Sequence, residues 1–275
     1  MLADAAAHLK PGQRQRWSQG AVLPDGSSYR RWTGLVEFLI TPDARRIYAR
    51  TLDKTNHEAL LAYLLVDALS YSMVRLGREP LHATAVLTDE GAVAFVGESG
   101  FGKSTLGALF VRDGFRLVTD DMLVLTPERG GYLAHAGPPR IKLYRGIADR
   151  IFGVSDRGVP MNSVTEKLII PLDEGQTLRD STSLRAIYLI RKHDDRHPAG
   201  RPFIRRLTPA RAFPRILAAT AGHYAFERDR LTRQFEFVTR LVARVPIKTL
   251  SYPRDENNMG RLPDAVLADL DRPVH

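Results

Sequence analysis

An apolar strand, followed by a glycine-rich turn and a helix, is the sequence feature that most restricts the fold of this chain. The segment Ala92–Val96 is apolar throughout, as expected for a strand buried on both faces of a sheet. Residues 97–104 then read Gly-Glu-Ser-Gly-Phe-Gly-Lys-Ser, and Ser104–Asp113 has the apolar spacing of a helix that Gly114 closes. A strand, a tight turn and a helix in this order predict an α/β fold.

The turn itself matches the pattern G-x-x-x-x-G-K-[ST] in full. Its glycines let successive backbone N–H groups face an anion, and the start of the following helix adds positive dipole. Lys103 can reach the outer phosphates of a nucleotide, the hydroxyl of Ser104 can ligate Mg²⁺, and Thr105 can add a phosphate contact. The predicted nucleotide-binding residues are Glu98, Ser99, Gly100, Phe101, Gly102, Lys103, Ser104 and Thr105.

Two adjacent acids, Asp120 and Asp121, follow the next apolar strand, Phe115–Val118. Phosphoryl transfer uses one carboxylate to hold the metal, directly or through water, and a second group to orient the attacking hydroxyl and accept its proton. Neighbouring residues on an extended strand face opposite sides, so both acids serve one site only if the strand bends or ends there. Two alternatives stay open: one acid caps a turn, or both are structural.

His82 lies in the strand-like segment Leu81–Leu87, directly before the strand that enters the glycine-rich turn. A single histidine on an apolar strand is more often a core residue than a catalytic one. Its position alone therefore favours a structural role.

Three segments together resemble the catalytic domain of HPr serine kinase/phosphorylase and its wider P-loop kinase superfamily. They are Leu-His-Ala-x-Ala-Val at 81–86, Phe-Val-Gly-x-Ser-Gly-x-Gly-Lys-Ser-Thr at 95–105 and Gly-x-Arg-Leu-Val-x-Asp-Asp at 114–121. The resemblance covers about Pro80–Leu125 and weakens toward the C-terminus. It implies a fold of the HPr kinase and phosphoenolpyruvate carboxykinase type, with a mixed central sheet and flanking helices, and an ATP-dependent kinase that uses Mg²⁺.

The resemblance also implies roles for individual residues. Asp121 matches the catalytic base, Asp120 its metal-side neighbour, and His82 the active-site histidine near the transferred phosphate. The predicted catalytic set is Asp121, Asp120, His82 and Lys103, with Ser104 and Asp120 as metal ligands. The chain departs from the family where Thr105 replaces a glutamate, and residues 138–146 are only a loose counterpart of the Glu-Ile-Arg-Gly segment that helps carry phosphorolysis. These departures weaken the case for dephosphorylation and for HPr as the substrate.

The chain has a short lead-in domain and a Leu-His-Ala segment before the glycine-rich turn. In this arrangement it is similar to the HPr-kinase-like tailoring enzymes of ribosomal peptide pathways, including lasso-peptide serine kinases. This likeness implies transfer of the γ-phosphoryl group of ATP to a serine hydroxyl of a peptide or small protein, and it allows a homo-oligomer. Three alternatives stay open: a kinase of a small-molecule hydroxyl, an ATPase switch that phosphorylates nothing, and an inactive nucleotide-binding scaffold.

We expect residues 1–78 to form a small N-terminal α+β lead-in domain and residues 79–275 to form the kinase domain. The lead-in combines strands at Leu35–Ile40 and Arg46–Thr51 with an amphipathic helix over Asn56–Leu76, after a loose arm or edge element that extends to about Ser28. Further strands are predicted at Met122–Leu125, Tyr132–Ala134, Ile141–Tyr144, Leu184–Arg191 and Ile247–Tyr252, and further helices at Pro209–Thr220, Asp229–Arg244 and Leu262–Leu270.

The positive charge is concentrated in one segment. The chain carries a formal charge of +9, and residues 196–244 hold eleven arginines against three acids. Either a polyanionic partner or a solvated face explains this segment, and no helix-turn-helix, zinc-finger or RNP-like pattern accompanies it, which argues against nucleic acid. Arg140, Lys142 and Lys167 are candidate contacts for phosphoryl or acceptor groups. His193 and His197, with two acids between them, are more typical of a solvated turn than of a metal site.

Cysteine is absent from the chain, which excludes disulfides, thiolate metal sites and cysteine nucleophiles. The first twenty residues lack the apolar core of a signal peptide, and the longest apolar stretch, 59–74, is interrupted by polar residues. The sequence therefore predicts a cytoplasmic protein that does not enter the membrane.

Overall fold

The N-terminal part of the chain folds around its own antiparallel sheet of four strands, in which each strand pairs with the next along the chain. The computed structural model describes residues 2–9, 18–52, 57–153, 158–191, 201–220, 228–253 and 259–271. The strands are β1 (Ser18–Val22), β2 (Ser28–Trp32), β3 (Val36–Ile40) and β4 (Ile47–Thr51). A short helix α1 (Leu2–Ala5) and a 3₁₀ turn (Ala6–His8) precede them. This sheet confirms an α+β arrangement before residue 78, while the domain boundary there stays a prediction.

Strand β2 was not predicted, because its sequence Ser-Tyr-Arg-Arg-Trp is too polar to suggest a buried strand. The structure buries Arg30 against the carboxylate of Asp67, to which Arg30 Nε donates at 2.7 Å. The indole N–H of Trp32 donates to the other carboxylate oxygen of Asp67 at 2.8 Å. A charge paired in this way can be buried, so the strand forms although its composition is polar.

The helix predicted over Asn56–Leu76 is present in three consecutive parts. They are α2 (His57–Tyr63), a π-helical turn (Leu64–Ala68) and α3 (Leu69–Arg75). Aromatic and aliphatic side chains of this helix pack on β3 in a separate hydrophobic cluster. The π turn carries Asp67, and π turns inside helices occur frequently at functional sites.

The second sheet is mixed, and its strands are β5 (Ala83–Thr88), β6 (Gly91–Val96), β7 (Arg116–Thr119), β8 (Leu125–Glu128), β9 (Gly131–Ala134), β13 (Thr182–Arg191), β14 (Phe203–Arg206) and β15 (Ile247–Ser251). They run in the order β14-β15-β13-β6-β5-β7, with β9 paired to β13 and β8 to β9. Strand β13 is parallel to both β6 and β15, whereas β5 is antiparallel to β6 and β7. The mixed central sheet predicted from the sequence is confirmed.

Helices cover both faces of this sheet, which explains the wholly apolar β6. The helices are α4 (Lys103–Arg112), α5 (Arg145–Phe152), α6 (Pro209–Ala219), α7 (Arg228–Arg244) and α8 (Leu262–Leu270). Val93 and Phe95 face one hydrophobic cluster with α4, and Ala92, Ala94 and Val96 face the other with α6 and α7. A third sheet adds β10 (Arg140–Tyr144), β11 (Val159–Pro160) and β12 (Lys167–Pro171), in the order β10-β12-β11.

The strand predicted at Met122–Leu125 is wrong. The chain turns sharply after β7, and regular pairing resumes only at Leu125, the first residue of β8. Helix α5 and strands β12 and β14 were not predicted either. Within the described part of the chain, no helix combines the length and apolar character needed to cross a membrane.

Gly107 of α4 provides a test of how tightly this helix packs on β5. A Cβ at Gly107 would lie 2.5 Å from Cγ2 of the buried Thr84, whereas a Cβ at Gly146 of α5 meets none of the described atoms within 4 Å. We expect Gly107→Ala to lower the free energy of unfolding by about 1–3 kcal/mol, since Thr84 must shift. Gly146→Ala should raise it by about 0.5–1 kcal/mol. Urea unfolding measures both, and equal effects would contradict this packing.

Candidate active site

The glycine-rich turn connects β6 to α4 and adopts a conformation that requires its glycines. Gly100 and Gly102 have φ angles of 82° and 90°, in the left-handed region that suits glycine. A Cβ at Gly102 would also lie 2.9 Å from the hydroxyl of Tyr252. The backbone therefore approaches its neighbours closely at the start of α4, where the first N–H groups of a helix lack intrahelical acceptors.

Lys103 is folded back across this turn. Its Nζ donates to the carbonyl oxygens of Gly97 at 2.8 Å and Glu98 at 3.1 Å, and the residue is 6% exposed. Burial lowers the pKa of Lys103, while the neighbouring carboxylates of Asp121 and Asp120 oppose that shift. The ammonium group thus lies beside the turn and close to both acids.

Asp120 links four elements through its carboxylate. Its Oδ1 accepts from Thr84 Oγ1 at 2.6 Å and from Ser104 Oγ at 2.8 Å, and its Oδ2 accepts from the backbone N–H of Lys142 at 3.0 Å. Burial raises the pKa of Asp120 to about 6, the charge of Asp121 acts in the same direction, and the hydrogen bonds oppose both. Thr84 was missed from the sequence, although it occupies the variable position of the Leu-His-Ala-x-Ala segment.

Ser104 and Asp120 form a donor set that fits Mg²⁺. Both offer hard oxygen atoms, and these atoms are 2.8 Å apart. Among the described residues, no three His, Cys, Asp or Glu side chains group closely enough to hold a metal ion by themselves. This suits Mg²⁺, which is usually bound through one or two carboxylates together with substrate phosphates and water.

The chain turns sharply at Asp121, which brings both acids to one site. Strand β7 ends at Thr119, Asp121 has a φ of 70°, and the N–H of Met122 donates to the carbonyl of Asp120 at 3.0 Å. A three-residue turn with a positive φ at a non-glycine centre is rare and strained. The condition that the strand bend or end at the acidic pair is therefore met.

The carboxylate of Asp121 is paired with Lys142. Lys142 Nζ lies 2.6 Å from Asp121 Oδ2, and the two side chains are 9% and 18% exposed. Burial disfavours the ionised form of Asp121, but the charge of Lys142, with smaller contributions from His82 and Lys167, holds its pKa below the usual value. The pKa values of the two adjacent acids thus shift in opposite directions, so Asp121 ionises at a lower pH than Asp120.

His82 lies against the Asp121 turn. Its Nδ1 is 2.9 Å from the carbonyl oxygen of Asp121, and its backbone N–H donates to Ala219 at 2.8 Å. A carbonyl only accepts, so Nδ1 carries the hydrogen and the neutral ring presents Nε2 as an acceptor. Burial lowers the pKa of His82, and the charge of Lys103 acts in the same direction.

Of the other residues predicted to contact phosphate, acceptor or metal, Lys167 lies near the site and Arg140 points away from it. Lys167 Nζ stacks over the ring of Tyr144, 5.4 Å from its centroid, and contributes to the electrostatics of Lys103 and Asp121. Arg140 turns toward α2 instead, where it donates to the carbonyl of Leu61 at 3.4 Å. The pair His193 and His197 lies outside the described residues, as does part of segment 196–244.

Two cavities meet at the Asp121 turn. The larger, about 900 Å³, is lined on one side by the glycine-rich turn, His82 and Asp121. Its other side is lined by the N-terminal unit, by which we mean the sheet β1–β4 together with the helix over residues 57–75. The smaller, about 500 Å³, is lined by Asp120, Asp121, Lys142 and the helix of the N-terminal unit. Sequence patterns did not predict this contribution of the N-terminal unit, because it depends on how the two sheets pack together.

Comparisons with known proteins show no family for this chain. No protein-family model and no curated protein matches the chain. Among solved structures, the Hpr(Ser) kinase/phosphatase from Coxiella burnetii is similar over 69% of this chain and 94% of that chain, with 14% identity and a TM-score of 0.39. A likeness this distant assigns neither a family nor a function to the chain.

The Lys142–Asp121 pair gives a test of the site that needs no ligand. Removing one partner of a buried pair leaves the other charge unpaired, so Lys142→Met should lower the free energy of unfolding by up to about 3 kcal/mol. Combining it with Asp121→Asn should recover part of that loss, with a coupling energy of about 1–3 kcal/mol in urea unfolding.

The exposed pair Arg185–Glu90, 3.2 Å apart, is the matched control. The corresponding cycle with Arg185→Met and Glu90→Gln should give a coupling energy below about 1 kcal/mol. Additive effects at Lys142 and Asp121 would contradict a paired site.

Proposed function

We propose that the chain is an ATP-dependent kinase that transfers the γ-phosphoryl group to a serine hydroxyl of a peptide or small protein, as in the tailoring of ribosomally made peptides of the lasso type. One observation carries this proposal. The glycine-rich turn, Asp121 and His82 line one side of a cavity large enough for an acceptor, and Asp120, which accepts from Ser104, directly precedes Asp121.

The turn and α4 would bind the phosphates of ATP. Backbone N–H groups at the start of α4 offer donors, and the ammonium of Lys103 would exchange its carbonyl partners for phosphate oxygens. Ser104 and Asp120 would hold Mg²⁺, which supplies neutralisation of the phosphate charge when it is bound.

Asp121 would act as the base toward the acceptor. The hydroxyl would give its proton to the Asp121 carboxylate while its oxygen forms a bond to the γ-phosphorus. The bond from that phosphorus to the bridging oxygen breaks, and ADP leaves with the electron pair. Lys142 holds Asp121 in the ionised state that can accept this proton.

His82 would steady the transferred group after it gains a proton. The neutral ring offers only an acceptor at Nε2, and phosphoryl oxygens are acceptors too, so a hydrogen bond between them requires the protonated ring. The negative charge of bound phosphates would favour that proton.

Asp121→Asn separates this proposal from its alternatives. We expect phosphate transfer from Mg²⁺-ATP to fall by about 10²-fold or more, because the amide cannot accept the proton. Intact-mass analysis of serine-containing peptides incubated with each chain measures the transfer, and nucleotide binding to the variant serves as the control. Hydrolysis without any acceptor, blocked by Asp121→Asn, would instead indicate an ATPase switch, and phosphate gain on small hydroxyl compounds alone would indicate a small-molecule kinase.

Gly102→Ala tests whether the glycine-rich turn binds the nucleotide. Gly102 and Gly130 both have φ near 90°. A Cβ at Gly102 would contact the hydroxyl of Tyr252, whereas a Cβ at Gly130 would meet none of the described atoms within 4 Å. Both alanine variants should carry similar backbone strain, of about 1 kcal/mol. Only Gly102→Ala should weaken binding of a non-hydrolysable ATP analogue in calorimetry, by tenfold or more. Equal affinities in the two variants would place the nucleotide elsewhere.

A further inference from the structure

Of the two cavities at the Asp121 turn, only the larger suits an acceptor. An attacking hydroxyl must reach the base and the transferred phosphate at the same time. The larger cavity is bounded by Asp121, His82 and the segment 97–99 of the phosphate-binding turn. The lining of the smaller cavity includes Asp121 but no residue of that turn.

The N-terminal unit forms the opposite wall of the larger cavity. This wall contains polar residues, but their side chains already form hydrogen bonds within the protein. The Asp67 carboxylate accepts from Arg30 and Trp32. The hydroxyl of Ser70 donates to the sulfur of Met122 at 3.2 Å, and the hydroxyl of Tyr71 is hydrogen-bonded to Ser28 at 2.5 Å. The donor of Ser70 and the carboxylate of Asp67 are thus engaged within the protein, and Trp32 and Val66 add apolar surface, so a small polar metabolite would gain few hydrogen bonds there for the water it loses.

Positive charge lies on the remaining side. Arg191 at the end of β13 and Arg215 on α6 both line the larger cavity and are exposed. Segment 201–220, which contains α6, has five arginines and no acid. An acceptor with negative charge beside its apolar part is complementary to this side of the cavity.

We infer that the larger cavity binds the acceptor as a short peptide segment in which apolar side chains flank the hydroxyl residue and acidic side chains lie toward Arg191 and Arg215. The N-terminal unit is then the wall that selects the acceptor. This inference rests on the proposed kinase function, and it adds the chemistry of the peptide and the surface that recognises it.

Trp32 provides a binding measurement that does not depend on catalysis. The chain has two tryptophans, so Trp17→Phe leaves Trp32, in the cavity wall, as the only indole. The probe is a peptide Glu-Leu-Ser-Leu-Glu with both ends blocked, titrated against the indole emission of the full chain. We expect a saturable change, with affinity weaker by about tenfold or more for Glu-Gly-Ser-Gly-Glu and for Lys-Leu-Ser-Leu-Lys.

Two pairs of variants locate the peptide on the surface. Ala218→Phe fills part of the cavity, whereas Ala210→Phe places the same side chain on α6 away from the cavity lining. Arg215→Glu reverses a cavity charge, and Arg211→Glu reverses a charge outside that lining. The first variant of each pair should bind the acidic peptide about tenfold more weakly, and the second should bind it as the parent does.

Mass analysis with Mg²⁺-ATP separates the two proposals. Binding at Trp32 without phosphate gain would contradict the kinase function and support the ligand chemistry of the cavity. Phosphate gain with an unchanged Trp32 signal, or with equal rates for Ala218→Phe and Ala210→Phe, would overturn the inference and leave the kinase function in place. Failure of the acidic apolar peptide to bind the parent chain would also overturn the inference.

Discussion

The partly buried carboxylate of Asp120 joins the elements on which the site depends. It accepts hydrogen bonds from Thr84, Ser104 and the backbone of Lys142, which lie within β5, α4 and β10, respectively. Burying a carboxylate is costly unless hydrogen bonds and charges compensate it, so these contacts fix where the elements can meet. The end of β7, the start of α4 and the middle of β10 are held together at the site that we propose for a nucleotide phosphate and Mg²⁺.

The strained turn at Asp121 gives this cluster a second carboxylate with a different environment. Lys142 neutralises Asp121 from one side, and the backbone carbonyl of Asp121 orients His82 from the other. Strain of this kind persists only where the surroundings fix the conformation, and here the hydroxyl of Thr119 bonds the carbonyl of Met122 across the turn. Adjacent acids with opposed pKa shifts can divide metal binding and proton transfer between them.

Local patterns predicted the parts of this site that depend on local geometry. The apolar β6, the turn at 97–104 and the acids after β7 were predicted because each needs only its own residue types and spacing. Thr84, the pairing of Lys142 with Asp121 and the cavity wall from the N-terminal unit were not, because they depend on contacts between distant segments. The polar β2 was missed for the same reason, since its burial depends on Asp67, thirty-seven residues from Arg30. The roles of individual site residues, the acceptor and the cytoplasmic location remain predictions.

Binding of Mn²⁺ in place of Mg²⁺ tests whether Asp120 holds the metal beside the nucleotide phosphates. With a non-hydrolysable ATP analogue, electron–nuclear double resonance should detect coupling between Mn²⁺ and the nucleotide phosphorus in the parent chain. We expect Asp120→Asn to lose this coupled signal and Asp89→Asn, at an exposed position, to keep it. An unchanged phosphorus coupling in Asp120→Asn would show that the metal and phosphates bind elsewhere, away from Asp120.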